Sequence, residues 1–168
     1  LYILEHFYDS RSSMFFFTSD LDPKLVARKM EVHDDVVPAS NSVLANSLFD
    51  LGVIRANNKY KNMAASILNN IKPKMDSYFT SYANYANLLL KYTKPFYEVV
   101  ITGQDAFKKS IKINNFYSPN KLLIGGDNSN YIPLLKGKKS DNLFYYICED
   151  GLCKQPTSDI KEAINLLQ

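Results

Sequence analysis

Twelve residues, Glu31-Val-His-Asp-Asp-Val-Val-Pro-Ala-Ser-Asn-Ser42, concentrate the side chains of this sequence that are able to do chemistry. Glu31, Asp34 and Asp35 lie close along the chain. Carboxylates in unlike environments split their pKa values, which makes an acid and a base out of two identical groups. The same carboxylates are also suited to holding sugar hydroxyls. A plainer reading stands beside these two: a solvated acidic turn ahead of a helix, where negative charge suits the helix N-terminus. Asn41 and Ser42 divide in the same way between ligands and helix caps. Pro38 fixes its own φ and presses Val37 towards an extended conformation, so no helix runs through this point.

Other candidates carry less. His6 and His33 are the only histidines, and no third ligand stands at metal-binding spacing, so packed or surface roles are expected and no metal site. Gly103 follows a strand-like run, but Thr102-Gly-Gln-Asp-Ala-Phe107 has one glycine where a dinucleotide loop needs three, and no P-loop Lys-Ser/Thr follows. Gly125-Gly126 reads as backbone relief. Cys148 and Cys153 enclose Glu-Asp-Gly-Leu, whereas redox pairs normally enclose two residues. This thiol pair can close a disulfide across the turn, with two reduced structural thiols as the favoured expectation. No cofactor is called for, and no residue pattern specifies a reaction.

The elements that must position segment 31–42 are helical. Ser40 or Asn41 caps a helix reaching about Arg55, apolar on more than one side through Leu44, Leu48, Leu51, Ala45, Phe49 and Gly52. After a turn at Asn57-Asn58, Tyr60, Met63, Ala64, Ile67, Leu68 and Ile71 follow helical spacing until Lys72-Pro73. A third helix spans about Thr80 to Thr93. Short connections imply antiparallel neighbours. Upstream, Tyr2, Ile3, Leu4 and Phe7 resemble the tail of a helix whose beginning is absent, so the chain reads as a piece of something longer. Met14-Phe-Phe-Phe-Thr18 suggests a short strand or hairpin arm. Lys24 to Met30 is open between a short helix and an extended crossing.

At Pro95 the character changes. Tyr97–Thr102 is a β-branched strand, Gln104 to about Asn114 a helix, Lys121–Ile124 a strand, then a polar turn after Gly126. Leu143–Cys148 is a further strand. Asp159–Leu167 is a closing helix, capped by Thr157, Ser158 or Asp159, with Glu162 in reciprocal contact. Strand–helix–strand order with continuous apolar strands predicts a small, mostly parallel sheet.

Bulk properties agree with a folded chain. At 168 residues, 46% hydrophobic and 22% charged, it is long enough for a sizeable core and too apolar for disorder. A net charge of +3 spread along the chain is no nucleic-acid footprint. No window approaches the ~18 apolar residues of a membrane span, and the first residues lack a signal-peptide pattern. Two cysteines make no secreted framework, so a cytoplasmic setting is expected.

Several stretches together resemble one family. They are Glu31-x-x-Asp34 with Pro38-x-x-Asn41-Ser42, Val99-Val-Ile-Thr-Gly103, and Phe144-Tyr-Tyr-Ile-Cys-Glu-Asp-Gly-Leu-Cys-Lys-Gln-Pro156, with His6-Phe-Tyr-Asp9 and Phe15-Phe-Phe-Thr18 upstream. The chain resembles, over nearly its whole length, the C-terminal part of the YyaL-like, spermatogenesis-associated thioredoxin-domain proteins. It departs from their pattern where Asp34-Asp35 stands for Asp-Gly and Pro38-Ala39 for Pro-Ser. The resemblance implies an α+β chain: residues 1–94 as the last helical hairpins of an (α/α)6 toroid like that of N-acylglucosamine 2-epimerases and six-hairpin glycosidases, and residues 95–168 as a small C-terminal α/β element. It implies that Glu31, Asp34, Asn41 and Ser42 face the toroid's funnel, where related folds bind sugars. The implied partners are a sugar-like small molecule and the thioredoxin-like and toroid parts of the same protein. The alternative is a structural or interaction module with no ligand site of its own.

Overall fold

The computed structural model describes residues 2–23, 26–126, 132–138 and 141–167. Helices and a mixed sheet make it an α+β chain, divided into two compact units: Leu1–Gly52 with Asn57–Leu89, and Val53–Ala56 with Leu90–Gln168.

The first unit opens with a short helix, α1 (Tyr2–His6), and a hairpin of two-residue strands, β1 (Tyr8–Asp9) and β2 (Met14–Phe15). Asp9 makes the turn between them. Its carboxylate accepts from the N–H groups of Arg11 and Ser12 and from the Ser12 hydroxyl, which holds its pKa below the usual carboxylate range. Lys24 and Leu25 lie outside the described residues. From Val26 to Glu31 the chain forms no helix, and the Phe17 N–H bonds to Lys29 O at 2.8 Å. The extended crossing is therefore the form taken over those residues.

Three longer helices follow: α2 (Ser40–Ile54), α3 (Asn58–Met75) and α4 (Ala83–Thr93), the last preceded by a 3-10 turn (Phe79–Tyr82). In α3 the side chains at helical spacing, Ala64, Ile67, Leu68, Ile71 and Met75, are the buried ones. Asn57 is its N-cap, accepting from the Lys59 N–H at 3.0 Å. Pro73 does not end the helix as its sequence position suggests. It lies inside the last turn, where a missing N–H forfeits one hydrogen bond and Asp76 still closes back onto Lys74 O.

The second unit is a four-stranded sheet in the order β4-β3-β5-β6, formed by β3 (Tyr97–Thr102), β4 (Lys121–Gly125), β5 (Phe144–Glu149) and β6 (Leu152–Cys153). Helices α5 (Ala106–Asn114) and α6 (Ile160–Asn165) complete it. Val99 and Ile101 pack with Tyr145 and Ile147 against Ala106, Ile113, Ala163 and Leu167. Val100 packs on the other face with Leu134 and Leu135. The polar turn expected after Gly126 falls on 127–131, outside the described residues.

The sheet is mixed, not mostly parallel. β3 and β4 run parallel across α5, but β3–β5 and β5–β6 are antiparallel, with Val99 opposite Leu123 and Ile147. Continuous apolar strands signal coverage on both faces, and here the second cover is the 3-10 turn Pro133–Leu135. Strand direction does not enter that pattern. Strand β6 was also hidden in the sequence: Asp150 and Gly151 take positive φ (48° and 78°), forming a two-residue hairpin turn that returns the chain beside β5. Cys148 and Cys153 stand directly opposite one another across it and are joined in a disulfide, against the expectation of two reduced thiols. Gly103 has φ +92°, and a Cβ there would lie 2.1 Å from Asn142 O. The turn after β3 therefore requires glycine for its backbone conformation and its close approach to Asn142.

Candidate functional site

Segment 31–42 is a bracket around the start of α2. The first peptide N–H groups of a helix have no partner within it. Here the acceptors come from residues well upstream: Asp34 Oδ1 accepts from the Ala39 N–H at 2.9 Å and Glu31 Oε2 from the Ser40 N–H at 2.9 Å. Two carboxylates thus sit where the helix dipole favours negative charge. Ser40 is the first helical residue, and its own hydroxyl is buried without a partner among the described residues.

Asp34 does more than cap. It is 9% exposed, and its Oδ2 accepts from the Asn84 N–H at 2.8 Å, at the start of α4. The Ser42 hydroxyl lies 2.6 Å from Asp34 Oδ1 and 2.9 Å from Ala39 O, and accepts from Asn84 Nδ2 at 3.0 Å. The Asp34 N–H itself donates to Ser81 O at 2.8 Å. One carboxylate therefore joins the bracket, α2 and the entry to α4. Asn41, fully buried, ties in β2: its Oδ1 accepts from the Phe15 N–H at 2.7 Å, and its Nδ2 donates to Phe15 O and Glu31 O, both at 2.8 Å. The side-chain amide stands in for a third strand along the outer edge of the hairpin.

Of the four residues singled out from sequence, Asp34, Asn41 and Ser42 are buried and their hydrogen-bonding groups are used within the chain. The solvated acidic turn thus fails for Asp34, although the helix-capping half of that reading holds. Glu31 is exposed, and its second oxygen, Oε1, has no partner among the described residues. Asp35 is exposed too. His33, next to Asp34 and also exposed, lies with Nε2 3.4 Å from the Tyr82 hydroxyl and its ring 5.2 Å from the Tyr82 ring. His6 lies elsewhere in the unit, 2.7 Å from Asp20 Oδ1. No three His, Cys, Asp or Glu groups are placed to hold a metal ion among the described residues.

Asn84 joins the site without any sequence signal, because 50 residues separate it from Asp34. Tyr82 and Tyr85 share one side of the expected third helix and are buried, but that spacing does not reveal their nearness to segment 31–42. Tyr85 is fully buried, and its hydroxyl has no partner among the described residues. Burial above all, then the negative Asp34 nearby and to a lesser degree Tyr82 and Glu31, pushes its pKa far above that of an ordinary phenol. The hydroxyl therefore stays protonated throughout the physiological range.

The arrangement can present a carboxylate oxygen and an imidazole from a backbone held firmly at Asp34. Its two hydroxyl–base contacts are Ser42 with Asp34, buried and joined to Asn84, and Tyr82 with His33 at 3.4 Å, and no metal ligands are grouped among the described residues. Nor is any described helix long and apolar enough to cross a membrane. Comparison with protein-family models, curated proteins and solved structures finds no match for this chain.

Proposed function

We propose that this chain is the C-terminal part of a YyaL-like thioredoxin-domain protein, and that segment 31–42 forms one wall of a pocket for a sugar-like small molecule in the funnel of an (α/α)6 toroid. The observation that carries the reading is the placing of Glu31 and His33, exposed within three residues of Asp34, whose carboxylate is held by contacts at 2.9, 2.6 and 2.8 Å. Sugars are recognised by fixed groups that accept from and donate to adjacent hydroxyls. Glu31 Oε1 is such an acceptor, and the His33 imidazole, supported by Tyr82, offers a donor or an acceptor according to its tautomer. In this reading Asp34, Asn41 and Ser42 are positioning residues.

Calorimetric titration of the full-length protein with neutral and N-acetylated monosaccharides tests it. Binding weakened at least tenfold by Glu31→Gln and by His33→Ala, with unchanged thermal midpoints, supports the pocket. Binding that survives both changes intact refutes it.

A second reading, a structural module that completes a scaffold for domains elsewhere in the protein, is favoured by one observation: Asp34, Asn41 and Ser42 all spend their hydrogen bonds inside the chain. The absence of sugar binding in the unaltered protein selects it.

A further inference from the structure

The second unit carries a group that the pocket reading does not use. The Cys148–Cys153 bridge joins β5 to β6, at the edge of the sheet, and its two residues differ in access: Cys148 is 1% exposed, whereas Cys153 is exposed on the outermost strand. Beside it lies a groove of about 300 Å³ lined by Tyr97, Ile147, Cys148, Glu149, Leu152 and Lys154, among others.

Contacts other than the bridge also hold the hairpin. Its two-residue turn has the backbone twist that matches paired strands. Beyond the turn, the Lys154 N–H donates to Ile147 O at 2.9 Å. Glu98, buried on β3 and in register with Cys148, accepts from the Gly151 N–H at 3.1 Å and fastens the turn to the centre of the sheet. Only four residues separate the cysteines, so little unfolded-chain entropy is removed by joining them. A bridge that adds little to the fold, with one exposed residue, is suited to chemistry.

We propose that Cys148–Cys153 is a thiol–disulfide exchange site, opened by a dithiol reductant that attacks Cys153. The reductant's first thiolate forms a bond to Cys153 Sγ as the Cys148–Cys153 bond breaks. The electron pair goes to Cys148 Sγ, which takes a proton from water. The reductant's second thiolate then attacks its own first sulfur, closing the reductant's disulfide and releasing Cys153 Sγ, which is protonated in turn. Two electrons pass to the bridge, and the two protons shed by the dithiol balance the two taken up.

The test uses the full-length protein in its folded state, with glutathione to trap the mixed disulfide and dithiothreitol to complete the reduction, followed by acid quench, alkylation and peptide mass mapping. The expected result is at least tenfold more glutathione on Cys153 than on Cys148. Full reduction by dithiothreitol should leave the circular dichroism spectrum unchanged, as should the double variant Cys148→Ser/Cys153→Ser. Glutathione shared equally between the two positions overturns the proposal. So does a bridge that opens only on unfolding, or a pair that stays free after oxidised glutathione is added.

Discussion

Replacing Asp34 by alanine removes one carboxylate and strands donors in three places. The Ala39 and Asn84 N–H groups lose acceptors at 2.9 and 2.8 Å, and the Ser42 hydroxyl loses one at 2.6 Å. The hydroxyl recovers through Ala39 O, already 2.9 Å away. The two backbone N–H groups have no such recourse within the bracket. Leaving a buried donor unsatisfied costs about 1–3 kcal/mol. Two of them, with some repair by water because Asn84 is half-buried, give a loss of about 3 kcal/mol. That is a large share of the ~5–15 kcal/mol that holds an ordinary domain together. Asp34→Asn keeps one acceptor and so should lose about half as much. Urea unfolding followed by far-ultraviolet circular dichroism reads both values, provided the slope with denaturant is unchanged. A loss below about 0.5 kcal/mol for Asp34→Ala would refute the argument that this carboxylate joins the bracket to two helices.

Four further outcomes follow from other contacts. Tyr85→Phe deletes a buried hydroxyl with no partner among the described residues, and should leave stability unchanged or raise it by up to about 1 kcal/mol. Because the folded pKa of Tyr85 lies above its ordinary value of 10.0, the unfolded chain releases that proton first as pH rises. Stability should therefore fall with pH above about 10, less steeply in Tyr85→Phe, as read by thermal melts from pH 8 to 11. Gly103→Ala places a Cβ 2.1 Å from Asn142 O at φ +92°, and should cost at least about 2 kcal/mol in urea unfolding. Ile101→Ala, fully buried between β3 and the α5–α6 face, should cost about 2–5 kcal/mol by the same measurement.

What the sequence reveals of this chain follows from how local each cause is. The spacing of Ala64, Ile67, Leu68 and Ile71 declares α3, because one helix face is a property of neighbouring residues. Tyr97–Thr102, Lys121–Gly125 and Phe144–Glu149 are recognisable as strands from their own β-branched and aromatic content. Their directions are not, since covered faces look the same whether a strand runs parallel or antiparallel. The Asp150-Gly151 turn contains a short-range hairpin signal, yet Leu152-Cys153 is too short to show alternation. At the bracket, the clustering of Glu31, Asp34, Asn41 and Ser42 is visible, and so is their place ahead of a helix. That Asp34 is buried is not, because what buries and satisfies it comes from Ser81 and Asn84 in a distant part of the chain. Tyr85 stands at helical spacing on the inner side of α4, and the same distance hides only its nearness to Asp34.

The bracket's defining property is that side chains of segment 31–42 hold backbone N–H groups in three separate places, Phe15 on β2, Ala39 with Ser40 at the start of α2, and Asn84 on α4, in a single cooperative unit. Native-state hydrogen exchange measures it directly. The amides of Phe15, Ala39 and Asn84 should share one opening free energy, within about 0.5 kcal/mol, and lose protection together in Asp34→Ala. Exchange of Ala39 and Asn84 at the rate of an unprotected chain, or at opening energies unrelated to that of Phe15, would contradict it.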